Sequence, residues 1–413
     1  MTDVSVDGAA PSTARLRSGH GPWAMGGEPG WDRMRESIRT DIAIVGAGIT
    51  GSLLAQHLTA MGREVVVIDR LVPGQGSTAA STAMLQWEID RSLSELADAY
   101  GFEKAALAYR HSVAAVTGLG ALVAETGVAC DWRPRHAILL TAAGDDSKAL
   151  APEFEARQRA RLPGEFIEGA AVPERLGLHR SGAIVSPGAA EADPVKLSHG
   201  MLTLAKQSGA RLIRDEVAHY DVSPQRATLG LASGLEVEAA HLVLATGYTL
   251  PAFVHAPAHK RSASWAAVTR PGVPLGYWQT RSLIWEDDEP YLYLRTTADD
   301  RILIGGEDER IDDPAEREAL GPQKAARMHA KLEALWGMTL PPFESVWSAA
   351  FGETSDGLPL IGPVPGCAHV LAAYGYGGNG ITYSYLASRM IGALLSGERR
   401  DWFEMFAIDR AGP

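Results

Sequence analysis

The stretch Asp41-Ile42-Ala43-Ile44-Val45-Gly46-Ala47-Gly48-Ile49-Thr50-Gly51 decides the fold. A β-prone run enters a Gly-x-Gly-x-x-Gly turn, and Leu53, Leu54, His57, Leu58 and Met61 then recur at helical spacing until Gly62. Glu64-Val65-Val66-Val67-Ile68-Asp69 follows as a second buried strand and completes a β-α-β unit. Each glycine answers a geometric need: Gly46 a tight turn, Gly48 the approach of backbone to a pyrophosphate, Gly51 the close packing of helix on strand. Asp69 ends the second strand, where a carboxylate accepts hydrogen bonds from an adenosine ribose, and the helix N-terminus faces the anion. Strand, turn, helix, strand and acid together point to a bound dinucleotide.

Composition sets the outer bounds. The chain has 413 residues, 46% apolar and 21% charged, which is globular and long enough for two or three units of about 100–200 residues. A net charge of −12 disfavours nucleic-acid binding, since proteins that grip phosphate backbones run basic. Cys130 and Cys367 are too few and too distant for a disulfide framework or a zinc or iron–sulfur site, which suits a reducing, cytoplasmic setting. No run approaches the ~20 apolar residues needed to cross a bilayer, so integral membrane association is not expected. The first 40 residues mix Arg15, Arg17 and Arg33 with Asp3, Asp7 and Asp32 and carry no apolar segment, unlike a secretory signal. They read as a flexible arm whose Trp23 and Trp31 dock on the body.

Working outward, Pro73 to Leu85 is nearly all small or hydroxylated. Its place after Asp69 suits a second wall around a cofactor; a flexible serine-rich loop is the alternative. Leu242-Val243-Leu244-Ala245-Thr246-Gly247 is a strand ending in a small-residue turn, and Gly375-Tyr376-Gly377-Gly378-Asn379-Gly380-Ile381-Thr382 is a glycine turn feeding an apolar helix from Tyr383 to Leu395. Helix N-termini stabilise negative charge, so two such turns imply a long cofactor.

In this order, and with Thr354-Ser355-Asp356-Gly357-Leu358-Pro359-Leu360-Ile361-Gly362, these segments resemble the D-amino-acid oxidase, glycine oxidase and sarcosine oxidase family of FAD-dependent oxidoreductases, from Asp41 to about Phe406. The resemblance implies an α/β fold: a Rossmann-like FAD-binding domain with an interleaved α+β substrate domain built on an antiparallel sheet. It implies Gly46, Gly48, Ile49, Thr50 and Gly51 at the pyrophosphate, Asp69 and Arg70 at the ribose, and Gly76, Ser77, Thr78, Ala80 and Ser81 around the phosphates and ribityl chain. Met84 and Leu85 fall near the ring. Ala245, Thr246 and Gly247 lie beneath the pyrophosphate, and Gly377, Gly378, Asn379, Gly380, Ile381 and Thr382 at the pyrimidine edge. Val217 stands either at the adenine or as an ordinary core valine. The FAD-binding domain collects 41–89, 193–250 and 347–413, the substrate domain 90–192 and 251–346, and the arm 1–40.

In such relatives a C–H bond next to an amine yields hydride to flavin N5 and the imine hydrolyses to a carbonyl compound, electrons passing to oxygen or another acceptor. The cofactor supplies the hard chemistry, so no protein base is assigned. Alternation along Tyr291-Leu292-Tyr293-Leu294-Arg295 sends Tyr291, Tyr293 and Arg295 to one face, beside a neighbouring strand at Arg301–Gly305. Tyr291 is the match to a substrate-holding tyrosine of the family or a tyrosine at a domain rim. Arg295 either pairs with a substrate carboxylate or reaches solvent.

Departures from the family matter as much. Relatives that clamp an amino-acid carboxylate place an arginine just before the motif written here Thr354-Ser355-Asp356-Gly357, where this chain has Phe351-Gly352-Glu353, and glycine-oxidase-like members place another in the last glycine turn, where this chain has Gly377-Gly378-Asn379. An amine or larger N-substituted compound is therefore favoured over a simple α-amino acid. Glu353 either attracts an ammonium or caps a turn, and Phe351, Trp265, Trp285 and Trp347 supply apolar walls or core. Cys367 lies beyond the position of the cysteine that anchors flavin in some relatives, so FAD is expected to be non-covalent. The acidic runs at 286–289 and 307–309 read as solvated surface. Two other functions stay open: oxidation of a hydroxy acid on the same scaffold, and a catalytically silent FAD-binding partner subunit.

Overall fold

The computed structural model describes residues 4–7, 17–24, 26–223, 225–288, 290–311 and 313–410. Two sheets organise them. At the centre of the first, five parallel strands run in the order Cys367–Tyr374, Glu236–Leu244, Ile38–Val45, Val65–Asp69 and Arg211–Arg214. Their Val, Ile and Leu side chains are buried on both faces, as a parallel sheet covered on two sides requires. One face packs the helices Ile49–Ala60, Pro194–Gln207 and Gly380–Leu395; the other packs a core that includes the antiparallel strands Val217–Val222 and Ala227–Leu231.

The second sheet runs Arg17–Ser18, Phe343–Thr354, His259–Thr269, Ile302–Glu309, Leu292–Thr296, Leu283–Asp287, Arg133–Thr141, Gly182–Glu191 and Met84–Leu85, with Glu165–Glu168 also on Gly182–Glu191. It is antiparallel except where Leu283–Asp287 runs parallel to Arg133–Thr141. The adjacent strands expected around Tyr291 and Arg301 are an antiparallel pair, with Tyr293 opposite Gly305.

Two boundaries differ from expectation. Phe343–Thr354 pairs along almost its whole length with His259–Thr269, so a division at 347 cuts through a strand of the second sheet. Met84–Leu85 pairs with Gly182–Glu191 in that same sheet, so the chain has passed from the first sheet to the second before residue 89. In both places the chain passes between sheets beside the cavities described below, where composition is uniform.

The described parts of the arm are paired or docked on the body. Val4–Asp7 pairs with Val217–Val222 on the first sheet, and Arg17–Ser18 pairs with Ser348 and Ala349 on the second. Trp31 packs on the main core, and the Trp23 indole N–H donates to Ser81 O at 2.7 Å. The helix Phe102–Thr126 is long and apolar enough to cross a membrane by length and composition, yet half of its most apolar window is inside the protein.

Candidate active site

Two cavities open at the C-terminal ends of the parallel strands and meet at Ser77. The first is bounded by Gly46, Gly48, Ile49 and Thr50 at the start of the helix Ile49–Ala60, and by Asp69 and Arg70 at the end of the next strand. Gly76, Ser77 and Thr78 close one side, and Val217, Ala245, Thr246 and Gly247 another. Gly51 lies behind the turn: a Cβ there would fall 1.8 Å from Gly46 O, so helix and strand close only over a glycine. Gly46 has φ +111°, and a Cβ on it would meet Ala245 O at 2.2 Å.

The donor set fits a dinucleotide. The Asp69 carboxylate is fixed by the N–H groups of Ala47 (2.7 Å) and Leu71 (2.8 Å). Burial raises its pKa while those N–H groups pull the other way, as for an acid in a closed slot that takes hydroxyl donors. The Thr78 hydroxyl accepts from Ile49 N–H at 3.0 Å, tying the serine-rich loop to the helix N-terminus. Both features leave a glycine-floored trough whose positive helix end is placed to receive an anion.

Past Ser77 the second cavity is of a different kind. Ala80, Ser81, Met84, Gly377, Gly378, Asn379, Gly380 and Ile381 border it, with Tyr291, Phe351 and Trp285 opposite. Tyr293, on the face the alternation gave it with Tyr291, lines the same space, and sequence reading missed Tyr248, Gln86, Glu88, Asp90 and Ser264 there. The Tyr291 and Tyr293 rings lie 5.7 Å apart, and Tyr293 lies over Gly305, where a Cβ would come within 2.4 Å of the ring. The Gly378 N–H donates to Asp90 Oδ2 at 2.7 Å, so the glycine turn already holds a carboxylate. Asp90 has surface open to the cavity yet is walled in by protein. Burial, with the nearby charges of Asp308 and Glu353, pushes its carboxyl up to about 6.

Several expected residues stand elsewhere. Arg295 is 2% exposed and donates to Ala83 O at 3.1 Å and Ala192 O at 3.0 Å. Burial pushes its pKa down to about 10. It braces the loops beside the cavity instead of reaching a substrate, because the face it shares with Tyr291 passes under those loops. Glu353 accepts from Ser262 Oγ at 2.6 Å and is not on the cavity wall. Leu85 is core, and Thr382 donates to Gln86 O at 2.9 Å. Trp265 and Trp347 are buried, with indole N–H groups on Arg317 O and Ala80 O. Cys367 borders neither cavity.

The acidic runs are solvated only in part: Asp287 and Glu309 are exposed and Glu289 lies outside the described residues, but Glu286 and Glu307 are buried. Glu286 is 2% exposed and paired with Arg180. Glu307 is fully buried, and Asp308 accepts the Tyr291 hydroxyl at 2.8 Å. Charge runs on strands are read as exposed unless the partner cations are visible, and here the partners Arg327 and Lys331 come from the helix Pro314–Trp336.

The sequence profile of the DAO family, described as FAD dependent oxidoreductase, matches residues 41–394. The chain belongs to this family. This FAD-dependent oxidoreductase is 26% identical over 400 residues to gamma-glutamylputrescine oxidoreductase of Escherichia coli K12, covering 91% of this chain and 88% of that one. It is 24% identical to glycine oxidase of Bacillus licheniformis over 90% of this chain and 98% of the relative. Among solved structures, glycine oxidase from Geobacillus kaustophilus superposes with a TM-score of 0.73 at 20% identity, over 91% of this chain and 100% of that one. L-Proline dehydrogenase from P. horikoshii gives 0.76 at 18%, over 91% and 98%. The oxidoreductase holds FAD without a covalent link.

Proposed function

We propose that this enzyme takes a cationic amine, not a simple amino acid, as its substrate. It oxidises the C–N bond of an amine or N-substituted amino-acid derivative. The observation that carries the substrate reading is the wall of the second cavity: among the described residues it has no arginine, lysine or histidine, but Glu88, Asp90 and the aromatic side chains of Tyr248, Trp285, Tyr291, Tyr293 and Phe351. Aromatic faces and carboxylates favour an ammonium, and a carboxylate substrate would find no cation to pair with. The relative named for gamma-glutamylputrescine supports an amine.

FAD, when bound, would supply the acceptor for a hydride from the carbon next to the nitrogen of the neutral amine, the captured ammonium having first given one proton to solvent, and water hydrolyses the resulting iminium to a carbonyl compound. The chain's own residues do the rest. Asp90 draws the ammonium toward the glycine turn, the aromatic walls exclude water and orient the alkyl part, and Trp347 and Trp23 hold the Ala80 and Ser81 carbonyls that fix the loop between the cavities. We assign the electron acceptor as oxygen or another acceptor. A cytoplasmic setting is supported by two unpaired cysteines, and the absence of an integral membrane anchor by the packing of Phe102–Thr126 into the core.

The test is anaerobic titration of the FAD-loaded protein with primary amines, N-methyl amines, D- and L-amino acids and hydroxy acids, following visible absorbance. Loss of the flavin bands with amines ahead of amino acids is expected. Bleaching by hydroxy acids or free amino acids first would overturn the substrate class, and a flavin that no compound bleaches would point to a partner subunit.

A further inference from the structure

The strand Ile302–Glu309 does not keep its alternation to the end. Gly306 and Glu307 have φ +135° and +60°, and pairing with His259–Thr269 slips there, Trp265 opposite Gly306 but Ala263 opposite Glu309. Regular alternation from Gly305, which faces Tyr293 across the pair, would aim Glu307 at the cavity and Asp308 at the helix Pro314–Trp336. The bulge inverts this. Glu307 turns to the helix, where Arg327 Nε lies 2.7 Å and Lys331 Nζ 3.2 Å from its carboxylate, and Lys324 donates to its carbonyl at 2.6 Å. Asp308 turns to the cavity side and accepts a hydrogen bond from the Tyr291 hydroxyl at 2.8 Å.

A phenol has one proton and two lone pairs. With the proton committed to a carboxylate, its oxygen is left only as an acceptor. We propose that Asp308 sets the hydrogen-bonding polarity of Tyr291, so that the phenol oxygen accepts from a substrate N–H and turns away a carboxylate. This rests on the amine reading above and names a residue that enforces it. Burial and the neighbouring Asp308 raise the Tyr291 pKa well above its ordinary value, so the phenol keeps the proton that it shares. Asp308 acts through Tyr291 and is a positioning residue. Its placement depends on the left-handed Glu307, which three cations from one helix hold in a conformation that few non-glycine residues adopt.

The probes are n-pentylamine and pentanoate, equal in length and opposite in charge, with binding to the FAD-loaded protein read from perturbation of the flavin bands. Wild type is expected to favour pentylamine. In Asp308→Asn an amide N–H can donate to the phenol oxygen and free its proton to point outward, so the amine-to-carboxylate affinity ratio should fall by about tenfold or more, the worth of a hydrogen bond to a charged group. Against a Tyr291→Phe background the same change should move the ratio by less than about twofold, since the hydroxyl that carries the effect is gone. An unchanged ratio in a flavin-loaded Asp308→Asn protein overturns the inference, as does an equal fall in both backgrounds, which would mark direct charge attraction. If Asp308→Asn does not retain FAD, Tyr291→Phe alone decides: a ratio equal to wild type rules out the phenol as the selective acceptor. A wild type that prefers pentanoate would instead defeat the amine reading itself.

Discussion

The cavity beside Asp69 is walled by glycine, small side chains and backbone at the ends of parallel strands, whereas the cavity beyond Ser77 is walled by tyrosine, tryptophan and carboxylate side chains carried largely by the second sheet. The first offers a ligand main-chain groups and one helix terminus, so it tolerates almost no added volume. The second recognises with side chains whose protons and charges depend on neighbours behind the wall. Damage to the first should therefore be steric and total, and damage to the second graded and chemical.

The sharpest way to break that contrast is Gly51→Ala, whose Cβ would sit 1.8 Å from Gly46 O. Overpacking here is expected to cost about 3 kcal/mol, or about a hundredfold in FAD affinity, measured by quenching of FAD fluorescence on titration with apoprotein. Near-normal binding would show that the trough gives more than its backbone contacts allow.

Next in size is Arg295→Met, which strips the partners from Ala83 O and Ala192 O and leaves Glu191 less compensated. Breaking such a buried charged contact should lower stability by about 3 kcal/mol, read by urea denaturation, while the preference between pentylamine and pentanoate stays as in wild type. A selective loss of carboxylate binding would return Arg295 to the substrate site and blur the boundary between wall and support.

The smallest effect is in pH. Burial pushes the carboxyls of both Asp90 and Asp308 up to about 6. Glu353 raises each further, while the Gly378 N–H opposes the shift at Asp90 and Tyr291, Ser264 and Lys324 oppose it at Asp308. Affinity for a non-titrating cation such as pentyltrimethylammonium should rise several-fold, about three to ten, between about pH 5 and about pH 7 as these groups ionise, with a shallower rise in Asp90→Asn. Stability runs the other way. A carboxyl raised above its ordinary 3.8 contributes fully below that value and loses the contribution as pH climbs through 6, so thermal melts of the unliganded protein should drop across the same window. A flat binding profile would separate the carboxylates from cation capture.

The same division explains what could be read from the sequence. Gly46, Asp69 and Ala245–Gly247 are contiguous motifs in which residue type is dictated by local geometry, and the structure places them around one trough. Arg295 misled because alternation assigns a face but not what covers it; the loops at Ala83 and Ala192 arrive from distant parts of the chain. Asp308 was hidden for a related reason. A strand read at period two puts Glu307 toward the cavity, and only the bulge at Gly306 and Glu307, visible in sequence as nothing more than Gly305-Gly306 before an acidic run, exchanges the two. Asp90 carried no pattern of its own, and its role comes from the Gly378 N–H contributed by a turn near the other end of the fold.

That last contact bears on how the enzyme is made. The glycine turn at Gly377–Gly380 and the strand Cys367–Tyr374 beside it close both the central sheet and the second cavity, yet they leave the ribosome long after the Gly46–Asp69 unit. Until they arrive, the nascent first sheet lacks one of its five parallel strands and the second cavity lacks a wall. Flavin supply should thus govern yield after synthesis, not during it, and riboflavin added to an expressing culture late should rescue holoenzyme as well as riboflavin present throughout.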